Sequence, residues 1–126
     1  MSGDGGPGAL AAGVVRVAGP AGRVEERLQR AGWHAGLVSH GGTKQAFLES
    51  AGAALGFPGY YGRNLDALWD CLGDLERPTA LVWDGWQELA VGSPDDWAGV
   101  MSVLAERASG PGVPFAVYLV DAAVAG

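Results

Sequence analysis

The chain has 126 residues, 48% of them hydrophobic, with a mean hydropathy of +0.14. That suits one compact domain, which buries about two-thirds of its unfolded surface without needing a metal or a disulfide. Eight Lys and Arg against 14 Asp and Glu leave a net charge of −6, so phosphate backbones are repelled, nucleic acid is not an expected partner, and a basic protein is.

The single cysteine, Cys71, excludes an intrachain disulfide and a cysteine-rich zinc site. There is no isoleucine, one lysine (Lys44), one asparagine (Asn64) and 22 glycines. This bias strips scattered Gly, Ala and Arg of most functional weight.

In chain order, residues 1–12 are rich in Gly, Ala and Pro without apolar periodicity and read as a disordered leader. They lack the basic and apolar regions of a secretory signal. The longest apolar stretch, Val113 to Val120, is far short of the ~20 residues a membrane helix needs. A cytoplasmic protein with no membrane partner is therefore expected. Val14 to Ala18 is a short β-branched run ending at Gly19-Pro20, a predicted strand. Val24, Leu28 and Ala31 then recur at helical spacing, with Glu25, Glu26, Arg27 and Arg30 opposite, and Gly32 closes the helix. Trp33 to Val38 reads as a second strand.

Thr43 is a good N-cap for a helix whose apolar stripe is Ala46, Phe47, Ala51, Ala54 and Leu55. A connector, Phe57 to Arg63, leads to Asn64, which caps a helix from Leu65 to about Leu72. Thr79 to Trp83 is a strand, and Gly85 to Ala90 a short helical turn. Ser93-Pro94-Asp95-Asp96 marks a helix start: an N-cap serine, a proline at the first position and two acids on the positive end of the dipole. Trp97, Val100, Met101, Val103 and Leu104 form its core side, and Gly110-Pro111-Gly112 ends it. Pro114 to Val120 is apolar almost throughout, as in a strand buried on both faces. Residues 122–126 form an Ala-Gly tail. Strands alternating with helices predict an α/β fold: a small parallel β-sheet with helices packed on it, in one domain over 13–121.

Most enzyme chemistries find no support. There is no phosphate-binding Gly-rich loop and no G-x-S-x-G elbow. His34 and His40 have no metal-ligand spacing around them and read as structural or exposed. Asp70 and Asp74 would raise rather than lower a thiol pKa at Cys71, which suits a packing residue. Trp83, Trp86 and Trp97 read as core or core-edge aromatics.

The informative segment runs from Tyr60 to Leu72. On a helical wheel Leu65, Leu68 and Leu72 face the core, with Trp69 at their margin. Asp66 and Asp70 are four apart and project from one face, where like charges cost a helix a few tenths of a kcal/mol. Asp66 recovers some of that cost from the dipole of the first turn; Asp70 does not. Two readings remain open: a solvated acidic face, or a face that meets an external cation. Tyr60 and Trp69 beside the acids have the composition of a binding hot spot.

Phe57-Pro58-Gly59-Tyr60-Tyr61-Gly62-Arg63-Asn64-Leu65-Asp66-Ala67-Leu68-Trp69-Asp70-Cys71-Leu72 closely resembles the signature segment of the barstar family. Those proteins are intracellular inhibitors of secreted, barnase-type microbial ribonucleases. The resemblance covers roughly residues 33–121, with an extra N-terminal βα unit over 14–31. It implies a 1:1 complex with a guanyl-preferring ribonuclease and no cofactor, metal or catalytic residue. By resemblance, Asp70 enters the nuclease active site where a substrate phosphate would sit, and Asp66 pairs with the enzyme's basic groups. Tyr60 packs on the enzyme's catalytic histidine, Trp69 lies at the interface margin, and Glu106 makes an outlying ion pair. Asn64 opens the binding helix as its cap. Two positions depart from the pattern: the turn Gly73-Asp74-Leu75 is one residue shorter, and Arg63 replaces an acid.

Two other functions remain for comparison. One is a module of the same fold that binds another basic protein, such as a toxin it confers immunity against. The other is a hydrolase holding Mg²⁺ on Asp66, Asp70 and Glu106.

Overall fold

A computed structural model describes residues 13–59 and 61–121. The leader 1–12, the tail 122–126 and Tyr60 lie outside the described residues. The elements are β1 (Gly13–Ala18), α1 (Ala21–Arg30), β2 (His34–Val38), α2 (Lys44–Leu55), α3 (Leu65–Gly73), β3 (Thr79–Asp84), α4 (Gln87–Gly92), α5 (Pro94–Ser109) and β4 (Phe115–Asp121). The four strands form one parallel sheet in the order β1-β4-β3-β2, as expected for an α/β fold. The N-terminal βα unit supplies an edge strand: β1 pairs with β4, Val15 opposite Tyr118.

Alternation along the strands sends different side chains to the two faces. Leu81, Trp83, Phe115, Val117 and Leu119 join Phe47, Leu48, Leu68, Leu72, Leu89, Val100 and Leu104 in the larger core, under α2, α3, α4 and α5. Ala80, Val82, Ala116, Tyr118 and Val120 face α1 through Ala21, Val24 and Leu28. β4 is buried from Phe115 to Val120, which accounts for its unbroken apolar run.

Helix ends follow the sequence with one exception. The Thr43 hydroxyl accepts from the Ala46 N–H at 3.0 Å and starts α2. Ser93 occupies the N-cap position of α5, but its side chain makes no capping bond. Its backbone N–H is instead tied to the Leu89 carbonyl of α4 at 2.9 Å. That helix enters α5 directly, and Pro94 with Asp95 and Asp96 carries the start alone. Lys44, though half-buried, sits 3.8 Å from Asp96 as an ion pair.

Candidate functional site

Between α2 and α3 the chain turns sharply. Gly56, at φ 72°, caps α2 in the left-handed conformation that glycine takes without strain. Phe57 N–H returns to the Gly52 carbonyl at 2.9 Å, and Tyr61 N–H closes a turn on Pro58 at 2.9 Å. Tyr61 then lies buried against α2. A Cβ at Gly52 would fall 2.7 Å from its ring, so a larger residue there would force the ring out. Burial, with smaller help from Cys71, pushes the Tyr61 hydroxyl up to about 12. Arg63 follows at φ 53°, an uncommon conformation for a residue with a Cβ. Asn64 then accepts from the Ala67 N–H at 2.8 Å and opens α3.

α3 packs chiefly on α5, and on α2. Gly99 permits the close approach: a Cβ there would meet Leu65 at 3.2 Å. Leu68 and Leu72 are fully buried and Leu65 is half-buried. The opposite stripe carries Asp66, Asp70 and Gly73, with Trp69 beside them at 43% exposure. Trp69 is the only aromatic among the large apolar side chains found exposed within the described residues. Among those residues neither Asp66 nor Asp70 has an ion-pair partner. Glu106 is exposed on the adjacent helix, α5.

Asp66, Trp69 and Asp70 therefore share one face, with Glu106 on a neighbouring element. Asn64 caps its helix. Tyr60 is outside the described residues. The three carboxylates of the hydrolase reading do not converge: among the described residues no three His, Cys, Asp or Glu side chains form a group able to hold a metal.

A cleft of about 580 Å³ opens at the start of β2 and β3, lined by His34, Phe57, Pro58, Cys71, Asp74 and Arg77 among others. Burial, then Asp74 and Asp70, push the Cys71 thiol up, the opposite of what activates a thiol. His34 Nδ1 lies 3.2 Å from Arg77 Nη2.

Sequence reasoning missed Arg107. It is 5% exposed, donating from Nε to the Leu72 carbonyl and from Nη2 to the Val113 carbonyl, both at 2.9 Å. The guanidinium thus ties the last turn of α3 to the strand entry of β4. A signal was present, since Arg107 stands three and seven residues after Leu104 and Val100, on the apolar stripe of its helix.

The profile of the family described as "Barstar (barnase inhibitor)" matches residues 38–120. The chain belongs to the barstar family. Its fold is the one the resemblance implies. The chain is also similar to a Bacillus subtilis (strain 168) protein named "Putative ribonuclease inhibitor YrdF", 69% identical over 29 residues. That stretch is 22% of this chain and 32% of the relative, so the likeness spans about a third of the relative's length. Family membership leaves β1, α1 and most of β2 outside the matched region. Among the described residues no helix is long and apolar enough to cross a membrane.

Proposed function

We propose that this protein inhibits a barnase-type, guanyl-preferring microbial ribonuclease by covering its active-site cleft with α3, in a 1:1 complex. It acts as a binding protein in the cytoplasm and performs no reaction itself. The observation that carries the reading is the outer stripe of α3, two exposed carboxylates with no ion-pair partner among the described residues, beside an exposed tryptophan. A ribonuclease must line its cleft with cationic groups to grip phosphate. Asp70 occupies the place of a substrate phosphate and Asp66 pairs with basic groups beside it. Trp69 closes the margin, Glu106 makes the outlying pair and Tyr60 meets the catalytic histidine. Asn64 contributes by capping the helix.

The name of the B. subtilis relative and the family description point the same way. Exposed Arg63 subtracts from the negative face. It favours a target that differs from barnase, including the ribonuclease domain of a toxin against which this chain would confer immunity.

The test is titration of the protein into guanyl-specific microbial ribonucleases while RNA cleavage is followed, with Asp70→Ala alongside. Stoichiometric inhibition is expected from the parent. The variant should lose more than ~2 kcal/mol of affinity, as a central interface residue does, with folding stability within about 0.5 kcal/mol. A variant that inhibits as well as its parent refutes the proposed mode. Association should slow as salt is raised; the barnase–barstar pair is the standard example of such steering, and this expectation is taken from it.

A further inference from the structure

Beside the acidic stripe lies a groove of about 180 Å³, with Trp69, Gly73 and Leu75 on one side and Pro111 and Val113 on the other. Arg107 also lines it, and Gly110 and Gly112 add no side chains to the far wall. We propose that this groove is a second subsite of the interface, and that it takes one neutral aromatic or branched aliphatic side chain of the protein that docks on α3. The inference rests on the inhibitor reading and adds to it what the partner must carry.

Three observations choose the occupant. First, the groove is continuous with the acidic stripe. Trp69 is both a wall of the groove and the neighbour of Asp70, while Gly73 lies on the stripe of Asp66 and Asp70. Second, the groove is lined from both elements that carry the acids: Trp69, beside Asp70 in the chain, and Gly73 of α3, and Arg107 of α5, next to Glu106, so a partner seated on these acids is brought next to it. Third, the lining rejects charge. Trp69, Leu75, Pro111 and Val113 are apolar, and the buried guanidinium of Arg107 repels an inserted Lys or Arg. An inserted carboxylate would enter beside Trp69, the chain neighbour of Asp70, on a protein of net charge −6. The volume holds one medium-sized side chain, and a buried apolar anchor flanked by charged contacts is the usual build of an interface centre.

Gly73 gives a clean way to close the groove. A Cβ built there meets nothing within 4 Å, and its φ is outside the left-handed range. Gly73→Ala and Gly73→Leu should therefore fold as the parent does, with unchanged melting temperature. Pro111→Phe blocks the same space from the opposite, exposed wall. The experiment measures the dissociation rate of each variant from a guanyl-specific ribonuclease that the parent inhibits, with thermal melts in parallel. Gly73→Leu and Pro111→Phe should each release the enzyme at least tenfold faster, and Gly73→Ala only a few-fold faster. Both blocking variants binding like the parent overturns the subsite and leaves the inhibitor reading intact. A parent that inhibits no such enzyme overturns the reading and the subsite together. If Gly73→Leu melts early, the folded Pro111→Phe protein decides the question.

Discussion

One face of the sheet presents Leu81, Trp83, Phe115, Val117 and Leu119 to four helices; the other presents Ala80, Val82, Ala116, Tyr118 and Val120 to one. The strands are shared, so side-chain size separates the two layers. On the large face Trp83 stacks between Phe47 and Trp97, with ring centroids 4.2 and 5.5 Å away. In that layer α3 packs chiefly on α5, and on α2, with Leu68 and Leu72 turned into the core, so its outer stripe stays exposed. On the small face α1 lies close over Ala35, Ala80 and Ala116, and its exposed side carries mixed charges. One face carries α3 with its acidic stripe outward, and the other closes the sheet.

The sharpest way to break that account is to truncate one residue on each face. Phe115→Ala should cost about 3–5 kcal/mol of stability. Val82→Ala removes two carbons and should cost about 1.5 kcal/mol. Urea unfolding measures both, and equal losses would show that the two layers do not differ as their side chains imply. Arg107→Met probes how α3 is held to the large face. It leaves the Leu72 and Val113 carbonyls without their guanidinium donor, and should cost about 1–3 kcal/mol. Because Leu72 lies in the last turn of α3, amide exchange there should accelerate more than in β3. Uniform acceleration would mean that Arg107 stabilises the whole domain alike.

The order of elements was readable because each carries its own local signal. The Thr43 and Asn64 caps, Gly56 and the Pro94-Asp95-Asp96 start act over a few residues, and the structure places helix ends at each. The orientation of Asp66 and Asp70 was readable for the same reason, since helical spacing sets it. Contacts distant in sequence were not readable. Nothing local says that β1 pairs with β4 across a hundred residues, or that the Arg107 guanidinium reaches the Leu72 carbonyl. Tyr61 shows the same limit. Periodicity does not say that its ring turns inward, and its burial is decided by Gly52, nine residues earlier on α2.

The smallest expected effect sharpens the comparison at the edge strand. Arg16 of β1 donates from Nε and Nη2 to the two Asp121 oxygens at 3.1 and 3.0 Å, and its guanidinium lies 5.0 Å over the Trp86 ring. Gln87 adds a bond to Asp121 at 3.2 Å. The Arg16 hydrogen bond is the main reason the Asp121 carboxyl is held below its ordinary value of 3.8. A carboxyl lowered in the folded state contributes stability above its unfolded pKa and loses it as pH falls through the folded one. The pair is exposed, so salt screens it and its share of global stability is small. Asp121→Asn should therefore melt slightly below the parent at pH 7, and the gap should close as pH drops beneath 3.8. Exchange of the β1 amides should rise at pH 7 while that of β3 stays unchanged. A gap that persists in acid would mean that shape, and not charge, holds β1 to the sheet.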